Sequence, residues 1–442
     1  MSEIPKIPEK GKAYLGDEKL VERYVSYRVG RLVNPPPWWP TFVPPQFSEE
    51  ELLEIERFCQ KIVDNVSKSG ERLTPLERWR ATRNFEELDR PFLASATFNN
   101  ITAKALDCFS GSLKPGIDLY WYPKLCLKGH LAWAAAFSPD DVAPYNFSYG
   151  LDAEFGGRSK SKLVPYAAPA WVTPPIDLEH LEEDLARIHT PDVYRDGFFP
   201  PHLWLVRKLK EFMTKYGAYD VMPIHASFCA MPEAGGIIAG MKEGIKLNKT
   251  NPELYERLAK VVLPYTISLG RAIWDILDPN HDLGWCCDFP SFGILNEATK
   301  RALKYAAIVV KALPEFLTVN GFDQSAVLEY MCQNGMVSLG SIEYETPLET
   351  VKRIYTKYGK LYGMCSNEQQ SAMATASVEK NIELTKANID TGAGPGYYFV
   401  AGTVDVWSKY ENVKAVLETA KEYGKKKYEE LKSKPGAISS KK

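Results

Sequence analysis

An α/β fold is what this sequence predicts: a (β/α)8 TIM barrel with an N-terminal Pro/Trp-rich and helical extension. Three observations carry the prediction. Short apolar runs rich in aromatic and β-branched residues recur through the second half of the chain, separated by segments of helical periodicity. Those helical segments are long enough for right-handed crossovers, so the runs pair in parallel. No G-x-G-x-x-G follows a run and no G-x-x-x-x-G-K-S/T occurs, so the competing topology, an open doubly wound sheet, carries no nucleotide signature.

Residues 1–48 hold several prolines and little periodicity. Pro35-Pro36-Pro37-Trp38-Trp39-Pro40 is stiff and extended and cannot join a helix. It reads equally as an arm laid on its own barrel or as one laid on a second subunit, the latter implying a homodimer. From Ser48 the pattern turns helical. Ser48 with Glu51 matches a capping box, and Leu52, Leu53, Ile55, Phe58, Ile62 and Val63 supply the apolar face. Thr74-Pro75-Leu76-Glu77 starts the next helix: threonine at the cap, proline in the first turn, glutamate at the third position. Phe92-Leu93-Ala94 is the first strand. Between 100 and 170 the pattern is ambiguous, and one further strand is expected within 120–165.

An acidic helix is expected from Leu178 to Ile188. Beyond Pro201 the alternation is clear. The expected strands are Val221 to Phe228, Leu283 to Asp288, Phe316 to Gly321, Met336 to Glu343, Lys360 to Cys365 and Tyr397 to Ala401. The glycine-bounded last strand, Gly394 to Gly402, leads to a helix opening at Glu411. The expected units are an N-terminal arm and helical extension at 1–73, the barrel at 74–430 and a polar tail at 431–442.

In a chain of 442 residues, a net charge of −2 leaves no basic footprint for nucleic acid or an anionic membrane surface. Residues 1–20 are polar and mixed in charge, and no apolar run approaches the roughly 20 residues of a membrane span. The eight cysteines form no C-x-x-C pair, which with the polar start predicts reduced thiols in a cytoplasmic protein. The aromatic supply, 24 Tyr, 19 Phe and 10 Trp, serves a large core or an aromatic-lined pocket.

In a barrel, residues at the carboxyl ends of the strands converge on one bowl. Here they are His225, Asp288, Asn320, Glu343, Cys365 and Asp405, with Tyr344 and Asn367 just beyond. Singly, each reads more readily as a helix cap or turn residue; that six successive strands end this way is what points to a polar pocket. His225 is either a general acid/base, a metal ligand or a core histidine held by a backbone carbonyl. A zinc site across strands from His225, Cys229, Cys286 and Cys365 is a further possibility of composition, without diagnostic spacing.

An ordered set of segments resembles the uroporphyrinogen decarboxylase superfamily. They are Thr74-Pro75-Leu76-Glu77-Arg78-Trp79-Arg80-Ala81 running into Asp89-Arg90-Pro91, Leu151-Asp152-Ala153-Glu154-Phe155-Gly156, Asp288 with the helix from Leu295, and Gly394 to Gly402 followed by Glu411-Asn412-Val413-Lys414-Ala415. The resemblance spans about 74–425 and implies a (β/α)8 barrel. It implies a decarboxylase or, in the other branch, a methyltransferase that exchanges methyl groups with the cobalt of a corrinoid (cobalamin) held by a partner protein. The zinc ligands of the coenzyme M members, His-x-Cys on one strand and Cys on the last, match Thr318, Asn320 and Thr403 here. Zinc is therefore not expected at that place, and the metal assignment is none. The decarboxylase branch's arginine cluster is likewise absent, although Arg78, Arg80 and Arg83 lie near its place.

The resemblance thus implies a corrinoid-dependent methyltransferase acting on an O- or N-methyl compound, such as an aryl methyl ether, or on tetrahydrofolate. Glu343, Asp288 or His225 would serve the proton transfers. Asn320, Tyr344, Asn367, Cys365 and Asp405 would bind substrate. Two alternatives stand beside it: a porphyrinogen-type or aromatic-acid decarboxylase, and a non-catalytic barrel serving as a binding subunit.

Overall fold

A computed structural model describes residues 42–97, 123–146, 160–162, 170–173, 178–186, 190, 192–195, 199–229, 241–288, 294–320, 323–364, 366–404 and 408–433. The arm around Trp38 and Trp39, the Leu151–Gly156 segment, Cys365 and Asp405 lie outside these residues. At Asp288, Asn320 and Asn367 only the backbone is described.

Both expected capping boxes are present. The Ser48 hydroxyl accepts from Glu51 N at 3.2 Å while Glu51 accepts from Ser48 N at 2.9 Å, and helix Glu49–Lys68 follows. Thr74 and Glu77 make the same exchange ahead of helix Pro75–Arg83, using two of the backbone donors that a helix start leaves over.

The strands are β1 (Phe92–Thr97), β2 (Tyr145–Asn146), β3 (Lys160–Lys162), β4 (Ala170–Thr173), β5 (His225–Cys229), β6 (Leu283–Asp288), β7 (Leu317–Asn320), β8 (Gly340–Glu343), β9 (Leu361–Met364) and β10 (Tyr398–Val404). A parallel sheet runs in the order β2-β5-β6-β7-β8-β9, a second parallel pair joins β1 to β10, and β3-β4 is a small antiparallel ladder. Backbone contacts link the parallel sheets at their outer strands: on one side a parallel bridge from Tyr362 to Tyr397 with Tyr362 N–H donating to Gly396 O at 3.0 Å, on the other an Asp140 N–H donating to Leu93 O at 3.1 Å. Regular ladders do not run through either junction. The observed architecture is therefore α/β with parallel sheets, and among the described residues ladder pairing does not close it into a ring.

Helices fill the intervals, among them Phe199–Lys215, Pro252–Trp274, Glu297–Ala312, Leu348–Lys357 and Val378–Gly392. Phe228 packs edge-on against Phe316, and Phe316 against Trp274 of helix Pro252–Trp274. Phe228 thus faces the helix layer. Because side chains alternate along a strand, His225 and Ser227 face the other way, onto the inner surface. On that surface Gly363 has no room for a Cβ, which would lie 2.6 Å from the Tyr398 ring. The glycine is what lets Tyr398 lie across β9 and donate its hydroxyl hydrogen to Ser341 O at 2.8 Å.

The last strand carries an irregularity where the sequence steps down to small residues. Ala94 pairs with Val400 but Ala96 with Thr403, so Ala401 and Gly402 together oppose Ser95. Gly402 takes φ +98° there, a left-handed conformation that costs glycine little.

At the amino ends of the strands sits a buried ion cluster. Arg78 Nε meets Asp89 at 2.9 Å and Arg78 Nη1 meets Asp140 at 3.0 Å. Arg90 reaches Asp140 and Glu71, each at 2.6 Å. Asp140 also accepts from Leu93 N at 2.8 Å, tying the cluster to β1. Arg78, near the place of the decarboxylase branch's arginine cluster, is thus committed to structure at the end opposite the expected bowl.

Candidate active site at the carboxyl ends of the strands

The register of the six-stranded sheet sets the expected residues in a row. Asp288, the last residue of β6, pairs with Asn320, the last of β7. Asn320 in turn pairs with Glu343, the last of β8, and Glu343 with Met364. Parallel strands ending level bring the chain positions 288, 320 and 343 side by side, although the sequence separates them by whole helices. Tyr344 is half-buried directly after Glu343, and Asn367 is the first residue of helix Asn367–Thr375, capped by Ser366.

Glu343 is fully buried. Its Oε1 accepts from Ser341 Oγ at 2.5 Å and from the Tyr355 hydroxyl at 2.7 Å, and its Oε2 from Thr346 Oγ1 at 3.1 Å. Tyr355 belongs to helix Leu348–Lys357, so this carboxyl is anchored toward the helix layer. Thr346 Oγ1 in turn accepts from Gln324 N at 2.9 Å, linking the loops after β7 and β8. Burial, with the nearby Glu343 carboxyl, pushes the Tyr355 phenol well above its ordinary value. The phenol stays protonated and serves as a donor.

His225 stands apart from this row. It opens β5 instead of ending it, and pairs with Leu283, five residues before Asp288. At about 3.3 Å per residue, that is roughly 16 Å along the sheet. The expectation that His225 shares the carboxyl-end bowl is corrected: Pro223 sits in the turn ahead of β5, and the strand starts later than the apolar run suggested. Its surroundings are nevertheless polar. His225 Nδ1 lies 2.9 Å from Asp141 Oδ2. Asp141 Oδ1 accepts from Ser95 Oγ at 2.6 Å and from Ser95 N at 3.0 Å. Asp141, His225 and Ser95 are all buried. Burial pushes the Asp141 carboxyl up, against the pull of His225 and Ser95. Sequence reading missed Asp141 because Ser138-Pro139-Asp140-Asp141 has the composition of a turn.

The cross-strand zinc set fails on geometry. Cys286 is in register with Phe228 and shares its helix-facing side, whereas His225 faces inward. The two cannot hold one ion. Thr318 is buried, and its hydroxyl donates to Gly340 O at 3.2 Å. Among the described residues no group of three or more His, Cys, Asp or Glu side chains is arranged to hold a metal. Cys59, Cys126, Cys286 and Cys332 are buried thiols, and burial pushes Cys59 and Cys332 up to about 12, which makes both poor nucleophiles.

Comparison of the fold with solved structures gives a match to a methyltransferase from Methanosarcina mazei. The TM-score is 0.62, over 80% of this chain and 99% of that one, at 16% identity. The two chains share a fold. No family model matches this sequence, and no curated protein matches it. No helix among the described residues is long and apolar enough to cross a membrane.

Proposed function

We propose that this protein is a methyltransferase of the uroporphyrinogen decarboxylase superfamily, moving a methyl group between a small O- or N-methyl compound, or tetrahydrofolate, and the cobalt of a corrinoid carried by a partner protein. The observation that supports it is the fold shared with a methyltransferase over nearly all of that chain, in the branch that the ordered motifs resemble. In this reading the eight parallel strands form a (β/α)8 barrel. It would close at the junctions Tyr362–Tyr397 and Asp140–Leu93.

The corrinoid would supply the nucleophilic or methyl-bearing cobalt. The chain's own task would be to hold the substrate in line and manage the leaving group's proton. Asp288 and Asn320 end adjacent strands in one row with Glu343. By strand alternation positions 288 and 320 share the side of Cys286 and Glu343, so they would act from the rim, where the strands pass into their loops. Asp288 would give its proton to the leaving oxygen or nitrogen, and Asn320 would hydrogen-bond the substrate. Glu343, gripped by three hydroxyls, would fix the loops that carry Thr346 and Gln324. Tyr344 and Asn367, with Cys365 and Asp405, would complete the wall.

The decarboxylase alternative receives less support, since Arg78 is consumed in the ion cluster. The experiment is methyl transfer to cob(I)alamin by the Asp288→Asn and Glu343→Gln variants. Asp288→Asn is expected to slow transfer by about 100-fold or more, the range of a general acid, with an unchanged melting temperature. Glu343→Gln is expected to lower both. Asp288→Asn turning over at the parent rate would remove Asp288 from the mechanism.

A further inference from the structure

Three buried polar atoms on the inner surface have no hydrogen-bond partner among the described residues: His225 Nε2, Ser227 Oγ and Trp285 Nε1. They belong to one patch. Ser227 lies two residues beyond His225 on the same face of β5 and is in register with Trp285 of β6. The His225 and Trp285 rings meet edge to face with centroids 3.8 Å apart. All three residues are at most 1% exposed. Leaving even one such group unsatisfied costs about 1–3 kcal/mol. Other buried nitrogens, those of His202 and Trp133 among them, are also unpartnered among the described residues, and what sets this patch apart is that its three atoms lie on neighbouring residues of one face.

The chemistry of the three atoms defines what they would take. His225 Nδ1 lies 2.9 Å from Asp141 Oδ2; a carboxylate can only accept, and with Nδ1 donating to it the other ring nitrogen, Nε2, is left as an acceptor. The indole of Trp285 can only donate, and the Ser227 hydroxyl can do either. A carbonyl cannot donate to Nε2, and an ammonium cannot accept from the indole. A hydroxyl does both.

We propose that His225, Ser227 and Trp285, with Asp141 fixing the imidazole tautomer, form a buried binding site for a hydroxyl-bearing guest of water or small-alcohol size. The site gives the Asp141–His225 pair a hydrogen-bonding partner at Nε2, a role no part of the carboxyl-end row supplies. It does not depend on the methyl-transfer reading.

The test uses the sign of a stability change. If the three atoms hold a guest, Ser227→Ala and Trp285→Phe each remove a used hydrogen bond, and each lowers the melting temperature by about 2 °C. The double variant then loses less than the sum, because one guest is lost in both. Trp285→Phe also loses packing, so Ser227→Ala decides the sign: if the atoms are merely unsatisfied, it relieves a penalty, and the melting temperature rises or stays level. That result overturns the proposal.

Nitrogen NMR of the full chain labelled at histidine, with His225→Gln for assignment, gives a second readout that does not require the variants to be stable. A transfer peak between water and the His225 ring identifies water as the guest. A His225 shift on adding methanol identifies an alcohol. A ring that shows neither, with its Nε2–H resting on the Trp285 face, contradicts the site.

Discussion

Replacing Asp140 by alanine is expected to destabilise the fold by about 3–5 kcal/mol, the cost of leaving buried charge without its partner. Asp140 is 1% exposed and takes hydrogen bonds from both Arg78 and Arg90, themselves 0% and 2% exposed. Burial alone would raise its carboxyl, but Arg90 and Arg78 outweigh burial and hold it below the ordinary aspartate value. A depressed carboxylate contributes its stability above the unfolded pKa and loses it as the pH falls through the folded one. At neutral pH the contribution is therefore fully present. Urea unfolding at neutral pH measures it. Asp140→Asn, which keeps an acceptor for Leu93 N, should retain more stability than Asp140→Ala. A loss below about 1 kcal/mol for the alanine variant would place the cluster among surface ion pairs in energetic terms.

Acid is expected to weaken the protein well before its carboxylates titrate. His130 and His202 are buried, on helices Pro123–Phe137 and Phe199–Lys215. Burial pushes His130 down to about 3, with His202 adding repulsion, and pushes His202 down to about 4. Both nitrogens of His202 are without a hydrogen-bond partner among the described residues. An unfolded histidine takes up its proton near pH 6.5. Between that pH and about 4 the unfolded chain binds protons that the folded chain refuses, so stability falls as the pH falls. Each buried histidine removes about 3 kcal/mol by pH 4 on this reckoning. Unfolding free energies for the parent and for His202→Phe, taken from pH 7 to 4.5, check it. The variant's curve should be flatter by about one proton; an equally steep curve would show that His202 does not drive the loss.

The fold was legible where its elements are long or alternate in hydrophobicity. The capping residues Ser48 and Thr74 announced their helices, and the strand Leu283–Asp288 was read to its ends. The helix Pro123–Phe137 was not, because the residues from Cys126 to Ala135 are buried without a break. A helix buried on every side shows no amphipathic stripe. β2 has two residues, too few for any pattern. The acidic helix expected at 178–188 amounts, within the described residues, to a 3-10 turn at Leu178–His180 and a short helix at Leu181–Leu185.

The candidate site was half legible, for a physical reason. Strands buried on both faces read as apolar runs, so the sequence gives their ends better than their sides. Asp288, Asn320 and Glu343 were therefore placed at one level. That Glu343 is held by Tyr355 of the helix layer, and that Cys286 faces away from His225, needed the packing. Asp141 pairs with His225 across 84 positions of chain, a separation over which no local pattern reports.

The most direct test of the methyl-transfer reading is spectroscopic. Mixed without oxygen with cob(I)alamin and a panel of aryl methyl ethers, methylamines and methyltetrahydrofolate, the purified protein should convert the cobalamin spectrum to that of methylcobalamin with at least one donor. Asp288→Asn should convert it far more slowly. A spectrum that stays unchanged with every donor, and equally with methylcobalamin offered to each demethylated acceptor, would contradict the account.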